Sequence, residues 1–200
     1  MTGGKVTGRK IDVLDAALTL AFEGGPNRVT TVAIAKRLGL TQPAIYRHFR
    51  SKAELWGAIA ERLGAEVSNN IAQAKAIKGA PTRQLQSLML GHLALINQTP
   101  ALPEIMLARD PNSENAVLRE AMRPLMSEFQ TVLIGFCAAA QETGELRADI
   151  NARDMASLFM GVLQSLVLRL LLTRDVSTLM EDGVRLLDLQ LSAFERESGD

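Results

Sequence analysis

Cysteine is almost absent from the chain: the single Cys137 cannot form an intramolecular disulfide and excludes a cysteine-rich zinc site. Two histidines, His48 and His92, leave a metal cage few ligands to draw on, so neither metal nor cofactor is expected. Aromatics are equally scarce, with six Phe, one Tyr and one Trp in 200 residues. No sustained Val/Ile/Thr alternation runs through the chain, which disfavours an all-β domain. Apolar runs such as the three leucines at 170–172 fall far short of the ~18 residues a membrane span requires, and Lys5, Arg9 and Lys10 precede no signal-type apolar core. A cytoplasmic protein with no membrane partner is expected. Catalysis also lacks its parts, because the histidines are far apart, Cys137 lies in an apolar run, and neither a nucleophile motif nor a Gly-rich phosphate loop is present. The chain does not read as an enzyme.

What the sequence does hold is 47% hydrophobic and 22% charged residues, the balance of a globular protein, with Ala, Leu and Met abundant. The expected fold is all-α. A net charge of zero hides an asymmetry: residues 1–52 carry nine basic and three acidic side chains, a balance of +6, and the remainder carries −6. Positive charge gathered in one quarter of a neutral chain suits a polyanionic partner, since neutralising phosphates releases counterions. On charge alone, a merely solvated basic face remains the other reading.

The apolar spacing predicts a first helix over residues 10–23, ended by Gly24-Gly25-Pro26. Thr30 or Thr31 can cap a second helix through Leu38, and Gly39 supplies a tight turn. A third follows at once, with Thr41 as its cap, Pro43 in its first turn and two turns completed by Phe49. Ser51 caps a fourth running toward Ile77. Further helices are expected at 82–98, 101–109 and 114–143, the last kinked or split by Pro124 and capped by Gly144. Two final helices, at 151–173 and 176–196, are apolar on more than one face: ten of the fourteen residues from Phe159 to Leu172 are hydrophobic. Such helices need a second surface to cover, and a partner copy forming a helix bundle would supply it. The expected homodimer interface comprises Leu163, Leu166, Val167, Leu170, Val184, Leu187 and Leu191.

Two short helices joined by a Gly-containing turn, the second presenting Tyr, Arg and His, meet the requirements of a helix-turn-helix reader. The first helix braces on the phosphate backbone while the start of the second enters the major groove, where Gln and Arg bond base edges and Ala packs on a thymine methyl. Ile45 and Phe49, four apart, should then face the core with Leu38 and Leu55. Gln42, Pro43, Ala44, Tyr46, Arg47 and His48 are left on the exposed side.

The run TTVAIAKRLGLTQPAIYRHFRSKAEL over residues 30–55 resembles the N-terminal signature of TetR-family transcription regulators. The resemblance spans about residues 11–59. It implies a DNA-binding domain over 1–52, with a recognition helix at about 42–49, and a helical effector-binding and dimerisation domain over 53–200. It further implies a homodimer whose two heads bind a palindromic operator in double-stranded DNA, and a small-molecule effector that changes head spacing. Carried over residue by residue, it puts Thr41, Gln42, Pro43, Ala44, Tyr46 and Arg47 in the groove or at its lips. His48 and Lys52 would then lie near phosphates, and Thr31 would bond one at a helix N-terminus. Residues 1–9 read either as a basic arm reaching the DNA or as a solubilising tail.

An effector cavity is expected among Met89, His92, Ile96, Met122, Met126, Phe129, Leu133, Phe136 and Gln164, with Leu93 and Met106 beside them, since flexible Met side chains suit adaptable apolar pockets. Plain core is the competing reading of the same Met and Phe residues, while His92 and Gln164 interrupt apolar faces and read as polar anchors. A ligand-released repressor is the leading expectation. A helical ligand-binding or interaction module without operator-specific DNA binding is the alternative. Operator sequence, regulated genes, effector identity, and repression against activation are not written in the chain.

Overall fold

A computed structural model of the chain describes residues 3–107 and 116–195, with side chains from Gly8 onward. Among these there are nine α-helices and no strand. They are α1 (Gly3–Gly24), α2 (Thr31–Leu38), α3 (Gln42–Tyr46), α4 (Lys52–Ala76), α5 (Pro81–Gln98), α6 (Ala101–Leu107), α7 (Ala116–Glu142), α8 (Ala152–Thr173) and α9 (Leu179–Phe194). The side chain of Lys5 and the helix ends expected at Arg109, Glu114 and Arg196 lie outside the described residues.

The helix boundaries follow from local chemistry. Thr30, not Thr31, caps α2: its backbone is extended and its hydroxyl accepts the Ala33 amide at 3.1 Å. Gly39 ends α2 with φ 62° and ψ 33°, a left-handed conformation natural to glycine, and the Leu40 amide closes back on the Ala35 carbonyl at 2.9 Å. Ser51 accepts the Glu54 amide while the Glu54 carboxylate accepts the Arg50 amide, a reciprocal box that starts α4. Gly144, with φ 77°, ends α7 as expected.

Four elements differ from expectation, among them α9, which begins at Leu179 rather than residue 176. Helix α1 begins at Gly3 rather than residue 10, so part of the expected arm is helical. Regular α-helix in α3 stops at Tyr46 rather than Phe49, because the His48 amide tightens onto the Ile45 carbonyl at 2.9 Å; the Phe49 amide still returns to that carbonyl at 3.0 Å. Pro124 does not split α7, which runs unbroken across it. A proline removes one hydrogen bond, and buried Leu118 and Met122 before it, with Phe129 and Leu133 after it, hold the helix on both sides.

The described residues divide into two compact units. The first takes residues up to Gly64 and from Thr99 to Arg123; the second takes Ala65–Gln98 and residues from Pro124 onward. The first unit thus continues past the expected boundary at 52 and takes in a later segment. Within it, α1 packs on α2 and α6, and α2 on α3. Its core is built from Val13, Ala17, Ile34, Ile45, Phe49 and Trp56, all buried. Within the second unit α9 packs on both α5 and α8. Gly183 permits the α5–α9 approach, since a Cβ there would come within 1.9 Å of a Leu93 methyl.

Helix α8 is long and apolar enough to cross a bilayer, with mean hydropathy 1.9 over an 18-residue window of which 33% is buried. No uninterrupted run of that length exists; scattered Ser, Gly and Gln are outvoted by Leu, Val, Met and Phe in the average.

Candidate DNA-contacting surface and apolar cavity

The helix-turn-helix is organised by its buried side. Ile45 and Phe49 are 1% and 3% exposed and lie in one core with Leu55, while Leu38 is half-buried. Helical geometry then turns the other face of α3 outward. Thr41, Gln42, Pro43, Tyr46 and Arg47 are exposed, and Ala44, His48, Thr31 and Lys52 are half-buried. All nine side chains read from the sequence as DNA-contacting therefore belong to one unit and retain accessible surface. The Lys10 ammonium stands 5.6 Å from the centre of the Phe49 ring, a cation–π contact that ties α1 to the segment just after α3.

Two contacts across this unit were not legible in the sequence. Arg37 donates to Glu23, holding α2 against α1. The Gln42 amide donates to the Thr31 hydroxyl at 3.0 Å, joining the first residue of α3 to the first of α2. Partners eleven positions apart carry no periodic signal, and only the turn at Gly39 brings them together.

The second unit corrects the expected cavity and interface. Leu163, Leu166, Leu170 and Leu187 are between 1% and 6% exposed, so the chain's own core absorbs them and they offer no surface to a partner. Val167 and Leu191 are half-buried, and only Val184, at 40%, stands exposed among the seven. The apolar side chains left outside on α8 and α9 are Leu158, Leu168, Leu172, Val184 and Leu189. The error was one of face: a helix greasy all round shows no phase from sequence alone. Leu191 instead borders an open cleft of about 330 Å³ with Thr82, Gln86 and Glu145.

A small apolar crevice with no room for a water molecule is lined by Met89, Leu93, Val162, Leu163, Leu166 and Leu187. Met89 is the one residue of the expected effector set, with Leu93 beside it, that lines this crevice, together with three leucines expected at the interface. Gln164 is exposed and is no polar anchor of this crevice. Met106 and Met122 belong to the first unit. Ile96, Phe129 and Leu133 are buried, and Met126 and Phe136 half-buried, without lining the crevice.

His92 is 6% exposed, and its ring lies 4.7 Å from that of Phe129. Its Nδ1 atom is buried without a hydrogen-bond partner. Burial among apolar groups lowers its pKa from 6.5 to about 4, so the imidazole is neutral near pH 7. The unfolded chain takes up this proton at a higher pH than the folded one. His92 therefore contributes stability that is full above pH 6.5 and is lost as pH falls toward 4. The shift corresponds to about 3 kcal/mol at most. Acid unfolding followed by circular dichroism should show a flatter limb between these pH values for His92→Phe than for the wild type. Identical limbs would place the acid sensitivity elsewhere. Cys137 is fully buried and its thiol is pushed up to about 12 by desolvation, which makes it an inert core residue.

Comparison with known proteins bears on both units. The sequence profile of bacterial regulatory proteins of the tetR family matches residues 13–59, and that of the tetracyclin repressor-like C-terminal domain matches residues 105–181. The chain is 29% identical over 134 residues to the nucleoid occlusion factor SlmA of Vibrio campbellii, covering 66% of this chain and 68% of that one. It is similar in structure to the ketosteroid transcriptional regulator KstR2 of Mycobacterium tuberculosis, with TM-score 0.76 and 17% identity over 94% of this chain and 96% of that one. It is also similar to the transcriptional regulator FadR of Bacillus subtilis in complex with stearoyl-CoA, with TM-score 0.67 and 20% identity over 92% and 99% of the two chains.

Proposed function

The chain belongs to the tetR family of bacterial regulatory proteins, DNA-binding transcription regulators rather than enzymes, and on that premise we propose that it is a cytoplasmic, dimeric repressor released from a palindromic operator by a small, mostly apolar ligand. The observation that carries this reading is the exposed face of α3. Its polar and basic side chains are turned outward by the buried pair Ile45 and Phe49, in the most positively charged part of the chain. Arg47 is the residue suited to bidentate reading of a guanine, Gln42 to adenine, and Ala44 to a thymine methyl. Thr31, His48 and Lys52 flank them toward the phosphates, and their accessible surface supports that role.

Self-association is supported by the outward apolar side of α8 and α9. Leu158, Leu168 and Leu172 recur at ten- and four-residue steps with exposed Gly161 and Ser165 between them, one stripe along the helix. Leu172 is 77% and Leu168 58% exposed, more than an isolated chain gains by leaving in water. This stripe also accounts for the bilayer-like hydropathy of α8 without a membrane. A charge placed in it must be desolvated on association, at a cost of several kcal/mol. Leu168→Asp should therefore shift the dimer to monomer in light scattering, whereas Leu166→Asp should damage folding instead. An unchanged dimer mass for a folded Leu168→Asp protein would remove this interface.

The effector reading rests on the crevice at Met89 and Leu93, whose walls are apolar and include a flexible methionine. FadR, seen with stearoyl-CoA, is a relative in fold that holds a long apolar group. A ligand entering here must part α5, α8 and α9, and that displacement is the proposed source of release. The test of the whole reading is selection of sites from random duplex DNA by the purified protein. Recovery of a palindrome with half-sites about one helical turn apart is expected. Recovery of no motif would leave a helical ligand-binding module as the function.

A further inference from the structure

The hydrogen bond from Gln42 to Thr31 joins a side chain suited to reading bases to one suited to gripping phosphate. Thr31 is not needed for capping, because Thr30 already accepts the Ala33 amide. Thr31 is half-buried at the first position of α2, and its hydroxyl accepts from the Gln42 Nε2 at 3.0 Å. A hydroxyl that accepts one bond keeps its own proton to donate. The chain of donors therefore runs from the Gln42 amide through the Thr31 hydroxyl toward an anion, the direction in which successive bonds polarise and strengthen one another.

The consequence for Gln42 is orientation. A free glutamine samples many rotamers, and ordering it on DNA has an entropic cost. The bond to Thr31 holds the amide group, with the second N–H and the carbonyl oxygen still available. That remaining donor and acceptor, side by side, form the pattern complementary to adenine N7 and N6. Gln42 is exposed, so this edge meets solvent in the unbound chain.

We propose that Thr31 is a positioning residue for sequence specificity, fixing the Gln42 amide so that base reading by Gln42 depends on a hydroxyl whose own proton engages a phosphate. The proposal rests on the reading of α3 as the major-groove helix and goes beyond it, because it predicts that a residue touching no base sets preference at one base pair.

The test uses the full-length protein and the operator recovered by site selection, with every base pair of one half-site varied in turn. Gln42→Ala identifies the pair that Gln42 reads, by loss of about ten-fold or more in discrimination there. Thr31→Val, which keeps the β-branched shape and deletes the hydroxyl, is expected to relax the same pair by a similar factor, with Thr31→Ser retaining it. The double variant should be no less discriminating at that pair than either single one. Thr31→Ala is run beside Thr31→Val so that a packing fault in one does not decide the outcome. If Thr31→Val weakens the operator and all its variants by one common factor while Gln42→Ala still relaxes a single pair, the relay is overturned and the DNA reading stands. If Gln42→Ala changes no preference although wild type has one, the proposal fails at its first link. A wild type without any sequence preference overturns the proposed function, and this inference with it.

Discussion

Operator binding should weaken by about 10³- to 10⁵-fold between about 50 and 200 mM salt, the range for a protein that contacts about six to ten phosphates. The first 52 residues carry a balance of +6, and a dimer presents two such heads. Not all of that charge faces DNA. Arg37 is engaged by Glu23 and Arg9 lies 3.6 Å from Asp12, which leaves each head a few cations for phosphate. Three to five per head reaches the stated range only if both heads bind together. Fluorescence anisotropy with a labelled operator across a salt series measures the slope directly. A slope half as steep would mean that one head binds at a time. A slope near zero would mean that α3 does not lie on phosphate-lined DNA at all, whatever the base preferences.

Phe49→Ala should destabilise the protein by about 3 to 5 kcal/mol, the range for truncating a buried phenylalanine. Phe49 is 3% exposed, packs in one core with Ile45 and Leu55, and carries the Lys10 ammonium over its ring. Removing it leaves a cavity under the end of α3, so operator binding should fall together with the unfolding midpoint. The neighbouring Tyr46 is 47% exposed. Tyr46→Ala should change stability by no more than about 0.5 kcal/mol, as surface substitutions usually do, while still weakening operator binding. Thermal unfolding of the two variants beside the wild type separates the cases. A larger loss for Tyr46→Ala than for Phe49→Ala would mean that α3 is rotated and that its outward face has been misassigned.

The helix-turn-helix was legible because its determinants are local. Thr30, Gly39, Pro43 and Ser51 each act on the backbone within a few residues, whereas Thr41 takes the N-cap position of α3 without a side-chain capping hydrogen bond. The four-residue step from Ile45 to Phe49 is enough to tell the inner face of α3 from the outer. The same reasoning located every helix, and it missed mainly ends, such as the start of α1 at Gly3 and the shortening of α3 at Tyr46. A split at Pro124 does not occur, because the cost of one missing hydrogen bond is local whereas α7 buries Leu118, Met122, Phe129 and Leu133 on either side of it.

Where a helix has no polar face, sequence lost its phase. In α8 the leucines at 163, 166 and 170 and those at 168 and 172 are chemically identical, yet the first set is core and the second is surface. Only packing against neighbouring helices, α9 and α5, decides between them. The same holds for the cavity: methionines and phenylalanines at helical spacing are written in the sequence, but which of them border a crevice depends on distances between helices far apart in the chain. The bond between Gln42 and Thr31 belongs to this class as well, since a turn of defined geometry had to place two side chains within 3.0 Å. By itself the sequence determined the helices, the basic first quarter and which face of α3 is turned outward, because caps, periodicity and charge are properties of neighbours. Tertiary structure alone decided which apolar faces are buried, where the crevice lies and what Gln42 holds, because these depend on contacts between residues whose separation along the chain carries no signal.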